Sequence, residues 1–262
     1  DVRLHETADA ASDGTADADP DERVRAALDA RMAEAGLNEV VDRVDEPLAR
    51  DRAARRAGEW RLGNLVADAY RWKTGADAAL QNAGGLREGP PLSGAVTVGD
   101  LVGVSPFDEP VVVAAVSGRE LEAIAREADG RRVDGLPDRW WGHVSGLRIG
   151  LDGRAGGTGG NASAPAADDY DVTVCGDPVD PGRQYTLAVP AFLLKTDREF
   201  PTLTEDHLVE RFDPQYDVIV EYARERGIDP SLAGRVPDLS GDASPDRDAV
   251  SGDRGAAPGD DA

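Results

Sequence analysis

Arg52, Arg55 and Arg56 cluster just ahead of a helix that opens at Arg61-Leu62-Gly63-Asn64. A short apolar segment, Ala78–Gln81, then runs into Asn82-Ala83-Gly84-Gly85-Leu86-Arg87. Arginine meets the oxygens of a phosphate with two parallel donors. Glycines at 84 and 85 let a ligand come close to the backbone. A Gly-Asn helix start, an apolar strand and a glycine turn closing on arginine therefore form a candidate anion site. The same arginines could instead pair with Asp45, Glu46, Asp51 and Glu59, and composition alone favours such ion pairs. Aromatic residues are scarce, with four Phe, four Trp and five Tyr, so their placement carries weight. Phe107 sits in a Ser-Pro-Phe turn, and Phe192 follows a strand ending at Val189. A ring at a strand end can stack on a base or another flat ligand. It can equally fill a core, which is the commoner use. Trp140-Trp141, flanked by Arg139 and His143, reads as a domain contact, a ligand lid or a core anchor.

Other chemistries find no residues. The histidines are His5, His143 and His207, far apart and without the spacing of a metal-binding pair. A two-metal phosphoesterase needs several His, Asp and Asn ligands together, and no motif offers them. There is no Gly-x-Ser-x-Gly elbow, no phosphate-binding P-loop and no Cys–His pair. Asn161-Ala162-Ser163 matches a short glycosylation sequon.

The elements that must hold these residues follow from periodicity. Residues 1–19 are rich in Ala, Asp, Thr and Gly and read as a flexible tail. Asp19-Pro20 then opens a helix, with Val24, Ala27, Leu28 and Met32 at helical spacing, so a linker helix is predicted over 20–38. A second helix is predicted over 60–73, ended by Gly75. Strands are predicted at 78–81, 96–98, 110–116, 144–149, 170–175 and 184–189. A short helix follows Gly99-Asp100, another covers 119–127, and a last one covers 212–226. Residues 151–168 form a long loop, and 238–262 an acidic disordered tail. The remainder, 39–237, is one domain. Cys175, the single cysteine, alternates with Val172 and Val174 and is read as a small core residue.

The chain has 262 residues, with 51 acidic against 29 basic, for a net charge of −22. Only Lys73 and Lys195 are lysine; every other basic residue is arginine. Acid excess with almost no lysine suits a surface bathed in multimolar salt, where carboxylates hold water and repulsion is screened. The source is therefore expected to be a halophile. General nucleic-acid binding is not expected, because no basic stripe survives such a field. No apolar run approaches the length of a membrane span. Residue 1 is Asp and the only methionine is Met32, so upstream sequence is expected to have been removed.

The order of the motifs resembles one family. "GNLVADAYRWKTGADAALQNAGGLR", "VTVGDLVGVSPFDEPVVVAAVSGRELEAI", "GHVSGLRI" and "DPVDPGRQYTLAVPAFLL" are similar to the C-terminal substrate-specificity domain of 5′-nucleotidases, of haloarchaeal type. The resemblance spans about 39 to 237. It implies an α+β fold, a mixed sheet with flanking helices preceded by a linker helix. It also implies a nucleotide or related phosphorylated small molecule as ligand. Phe107 and Phe192 would sandwich the base. Arg52, Arg56 and Arg87 match the family's anion-holding arginines, with Asn82, Gly84 and Gly85 in the turn between. Three positions depart. The turn is Ala83-Gly84-Gly85 where the family has three glycines. Asp108-Glu109 replaces Gly-Asn after the Pro-Phe turn. Arg198 stands where an Asp holds ribose hydroxyls, with Asp197 beside it as a substitute. These changes leave open a substrate other than adenosine.

By the same resemblance, a divalent metal pair belongs to an N-terminal metallophosphoesterase domain, in cis or in trans, and this chain binds no cofactor itself. Hydrolysis of nucleotides would be the joint activity, as part of nucleotide catabolism. The family's habit leans toward export, with a cytoplasmic setting left open. The rival expectation is a stand-alone, non-catalytic binding or interaction module of the same fold.

Overall fold

The computed structural model describes residues 22–133, 136, 139–151 and 170–237. The expected tails at 1–19 and 238–262, the loop after 151 and the sequon lie outside them.

Helix α1 (Glu22–Glu34) opens the described chain, slightly shorter than expected, and leaves Val24 and Leu28 exposed. Strand β1 (Val40–Leu48) follows. Sequence periodicity did not define it, because most of its residues face solvent and Asp42, Arg43, Asp45 and Glu46 blur any alternation. Helix α2 (Arg52–Arg56) is capped by Asp51, which accepts from the Ala54 amide at 2.8 Å. Helix α3 (Arg61–Thr74) is amphipathic and ends as predicted: Gly75 takes φ 67° and returns its amide to the Arg71 carbonyl.

The chain continues through β2 (Ala78–Asn82), a 3-10 turn over Ala83–Gly85, β3 (Leu92–Thr97) and α4 (Val98–Val102). It then forms β4 (Pro110–Ser117) and α5 (Gly118–Glu127). Ser117 and Glu120 cap α5 reciprocally. The strand expected at 144–149 is two strands, β5 (Gly142–Ser145) and β6 (Leu147–Leu151). Gly146, at φ 67°, turns the chain between them, so they enter different sheets. Strands β7 (Tyr170–Val174) and β8 (Asp177–Pro178) complete a three-stranded sheet with β6, in the order β6-β7-β8. Cys175 is not a core residue: it is exposed, at φ 52° in the β7–β8 turn. Strand β9 (Gln184–Pro190) runs into a 3-10 turn over Ala191–Leu194. The last expected helix is shorter, because Leu208–Pro214 forms β10 and α6 covers Gln215–Arg226.

The central sheet has the order β10-β4-β9-β2-β5. The β2–β9 pair is parallel and the others antiparallel, so the sheet is mixed. Alternation along its strands feeds two cores. Val112, Ala114, Val116, Leu187 and Val189 join α5, Trp140 and Phe200 on one face. Val111, Val113, Ala188 and Ala79 join α3, α6, β1 and β3 on the other. Each fully buried aliphatic side chain contributes about 1.5–3 kcal/mol to holding the layers together. The result is the α+β fold, a mixed sheet with flanking helices, that the resemblance implied.

Candidate functional site

Strand direction decides which loops meet. In the parallel pair, Ala79 faces Ala188, so the turn after Asn82 and the turn after Pro190 leave the sheet at the same end. In the antiparallel pairs, Val111 faces Pro190 and Asn82 faces Gly142, so the segments entering β4 and β5 arrive at that end too. One end of the sheet therefore collects Asn82–Arg87, Ser105–Glu109, Trp140-Trp141 and Phe192–Glu199. All the sequence-derived site residues lie in or beside these segments except Arg52 and Arg56, which α2 supplies. The Trp140 amide donates to the Arg56 carbonyl at 3.2 Å and brings α2 to the group.

A buried polar network holds the loops in register. The Tyr70 hydroxyl lies 2.9 Å from Gln81 Oε1 and 3.0 Å from Gln215 Oε1. Ser105 Oγ donates to the same Gln215 oxygen at 2.9 Å. Gln81 Nε2 donates to Asn82 Oδ1 at 2.9 Å. Burial raises the Tyr70 phenol above its usual range, so it stays a donor. The Arg87 amide donates to the Val104 carbonyl at 2.9 Å, which fastens the glycine turn to the Phe107 loop. Across the mouth, Lys195 Nζ contacts both Glu109 carboxylate oxygens at 3.1 Å and ties the Phe192 turn to that loop. Tyr216 donates to Asp108 at 3.1 Å. The two acids that depart from the family pattern thus have partners within the fold.

The arginines divide into two kinds. Arg55 is structural: it donates to the Leu86 carbonyl and pairs with Glu88 at 3.1 Å. Arg50 is structural too, donating to the Gly103 carbonyl at 2.6 Å. Arg52, Arg56 and Arg87 have no carboxylate partner among the described residues. Of the four acids weighed from the sequence, three are committed elsewhere. Asp51 caps α2, Glu46 pairs with Arg61 at 3.0 Å, and Glu59 accepts from the amides of Ala233, Gly234 and Arg235. Arg56 lies 4.9 Å from the centre of a Trp141 ring, and Arg87 lies 4.6 Å from that of Phe107. Burial first, then the neighbouring Arg52, Arg55 and Arg139, disfavour the charge on Arg56. Glu88, paired with Arg55, is the one acid that favours the charge on Arg56. A cluster of guanidiniums with so little direct pairing, in a chain of net charge −22, is suited to attract an anion.

Phe107 is half-buried, and Phe192 is 43% exposed despite the core around it. An exposed phenylalanine on a loop at this end of the sheet has ring surface to offer a ligand. Gly85 is required sterically, and a side chain at 84 would fit more tightly than most. A Cβ at 84 would stand 3.2 Å from the Trp141 ring, and one at 85 would crowd Gln81 and the Asn82 side chain. Asp197 is exposed at the rim.

Three features around the candidate site were not legible in advance. Glu199 enters it, accepting from Asn82 Nδ2 at 2.6 Å and from Trp141 Nε1 at 2.7 Å. Trp141 is a wall of the site and Trp140 a core anchor, so the tryptophan pair is neither a lid nor a surface contact. The Gly-Asn helix start is not part of the anion site. Gly63 makes room for the His143 ring, and Asn64 donates to Glu59 and to the Ser231 carbonyl.

The profile of the 5′-nucleotidase C-terminal domain matches residues 40–205. The chain belongs to this family. Protein UshA of Yersinia enterocolitica is 28% identical over 162 residues, which is 62% of this chain and 26% of UshA. The solved 5′-nucleotidase precursor from Thermus thermophilus superposes with a TM-score of 0.64 at 28% identity, covering 82% of this chain and 42% of that one. A putative 5′-nucleotidase from Staphylococcus aureus shares the fold, with a TM-score of 0.62 at 18% identity over 84% of this chain and 44% of that one. The chain thus spans a quarter to under a half of the length of these three relatives. Among the described residues, no group of three or more His, Cys, Asp or Glu is placed to hold a metal ion. No helix among them is long and apolar enough to cross a membrane.

Proposed function

We propose that this domain is the substrate-holding part of a 5′-nucleotidase-type phosphoesterase. One observation supports the reading: loops at one end of the central sheet carry Phe107, Phe192 and Arg87, with α2 supplying Arg52 and Arg56 beside them, and none of these three arginines has a carboxylate within ion-pair distance among the described residues. Phe107 and Phe192 grip a flat ring. Arg52, Arg56 and Arg87 hold the ligand's anionic groups through paired donors. Asn82, Gly84 and Gly85 shape the floor. Hydrolysis belongs to a metallophosphoesterase domain acting in cis or in trans, whose metal pair would activate water. That partner, and a place in nucleotide breakdown, extend the reading from family kinship. The acid-rich, lysine-poor surface supports an origin in a salt-loving archaeon.

Calorimetric titration with AMP and adenosine in multimolar salt tests the anion half of this reading. AMP binds more tightly than adenosine to the parent chain, and Arg56→Ala reduces the difference. Equal binding of the two ligands by the parent chain would contradict it.

A further inference from the structure

The site contains a fixed acceptor, and a phosphate cannot use it. Glu199 Oε2 takes two hydrogen bonds, from Asn82 Nδ2 at 2.6 Å and Trp141 Nε1 at 2.7 Å. Both donors are buried, with Asn82 3% and Trp141 7% exposed. They hold the carboxylate in one orientation. Its other oxygen, Oε1, receives no hydrogen bond among the described residues and lies beside Gly84. A Cβ there would stand 3.5 Å from it. Gly84 brings no side chain against Oε1. Glu199 also has no ion pair among the described residues, although Arg56 lies against the Trp141 ring. Its charge is therefore available to a ligand.

Asp197 offers a contrast. It is exposed, and no hydrogen bond among the described residues fixes its side chain. A ligand would have to order it on binding, at a cost in side-chain entropy that Glu199 avoids.

We propose that Glu199, and not Asp197, sets the site's specificity by accepting a hydrogen bond from a donor on the ligand. An ionised carboxylate is an acceptor only. A hydroxyl or an N–H satisfies it, whereas a phosphate oxygen meets like charge and no proton. The site is thereby divided: guanidiniums take the anion, and Glu199 takes a donor group. The ligand class is an anion that carries a flat ring and also presents a hydroxyl or N–H. This deepens the proposed function and rests on it.

The test compares ligand pairs that differ in one kind of donor, on the parent chain, Glu199→Gln and Asp197→Ala. AMP against 2′,3′-dideoxy-AMP reports sugar hydroxyls, and GMP against IMP reports a base amino group. A hydrogen bond to a charged group is worth about tenfold or more in affinity. The parent chain therefore prefers the donor-bearing member of one pair by about that factor. Glu199→Gln erases that preference and Asp197→Ala keeps it. The pair that responds names the donor. Should Glu199→Gln fail to fold, Trp141→Phe keeps a ring in the wall but removes one donor that aims the carboxylate, and it reduces the preference. A preference unchanged by Glu199→Gln, or erased by Asp197→Ala, overturns this inference while leaving the nucleotide reading standing. The inference also falls if the parent chain binds AMP but shows no preference in either pair. Failure of the parent chain to bind any of the four ligands would overturn both.

Discussion

The Arg87 guanidinium lies over the Phe107 ring, 4.6 Å from its centre. The two residues come from different loops, joined by the Arg87 amide on the Val104 carbonyl. An arginine on a ring is worth about 0.5–1 kcal/mol when exposed. It also places a cation where a ligand's ring and anion must both fit. Arg87→Lys keeps the charge but loses the planar fork. Titration with AMP is expected to show roughly tenfold weaker binding for Arg87→Lys and a larger loss for Arg87→Ala. Equal affinity for Arg87→Lys and the parent chain would remove Arg87 from the site.

Gly63 faces the His143 ring with no room for a methyl group. Gly63→Ala must push the ring away or shift α3, and overpacking of this kind costs about 1–3 kcal/mol. Thermal unfolding of the variant should begin several degrees lower than in the parent chain. An unchanged midpoint would mean that the ring moves freely.

His143 itself predicts an acid limit. The ring is buried between Gly63 and Trp60, and among the described residues neither nitrogen makes a well-formed hydrogen bond, the backbone of Arg55 being a polar neighbour. Burial lowers its pKa to about 4 from 6.5; Arg55 and Glu59 are the charged groups that face it. The unfolded chain therefore binds a proton below pH 6.5 that the folded chain refuses until about pH 4. Stability is lost as pH falls through that window, on the order of 3 kcal/mol in full. Melting midpoints followed from about pH 7 to about pH 4 should fall more steeply for the parent chain than for His143→Phe. Parallel curves would contradict the assignment.

Tyr70 holds the loops together from inside. Tyr70→Phe removes the donor shared by the Gln81 and Gln215 oxygens, at a cost of about 1–3 kcal/mol. Amide hydrogen exchange should quicken in both 82–87 and 104–109. Faster exchange in only one loop would show that the network does not couple them.

Charge predicts a dependence on salt. With a net charge of −22, the folded chain repels itself at low ionic strength. The melting midpoint should rise between about 0.1 and about 3 M KCl, by about 2–4 °C for each kcal/mol of repulsion relieved. A flat response would argue against adaptation to salt.

How far these features could be read in advance depended on where each signal resides. The helix ending at Gly75 and the buried strands 78–82 and 184–190 were legible because local periodicity and capping carry them. Strand β1 was hidden, since its exposed charges erase alternation. The break at Gly146 was hidden because the residues on either side keep one apolar pattern while entering two sheets. Strand β10 was missed, and its last residues, 212–214, were read as the start of a helix, because its mostly exposed edge offers little pattern of its own. For the candidate site, Arg52, Arg56, Arg87, Phe107 and Phe192 were singled out by the resemblance to the family, whereas composition and pattern alone favoured ion pairs and core packing for them. Glu199 did not, because its role depends on Asn82 and Trp141, which are distant in sequence and meet only across the β2–β5 pair. Composition could not say which acids neutralise which arginines. That depended on Glu59 and Glu46 being drawn to the 233–235 segment and to Arg61.

The most direct test of the central claim is calorimetric titration of AMP, in multimolar salt, into the parent chain and into the double variant Phe107→Ala/Phe192→Ala. Stacking on an aromatic side chain is worth about 1–3 kcal/mol per base, so losing both rings should weaken binding at least about thirtyfold. The account predicts that AMP binds the parent chain and that binding by the folded double variant drops by that factor or disappears. Undiminished affinity in the double variant would contradict the aromatic grip on which the proposed function rests.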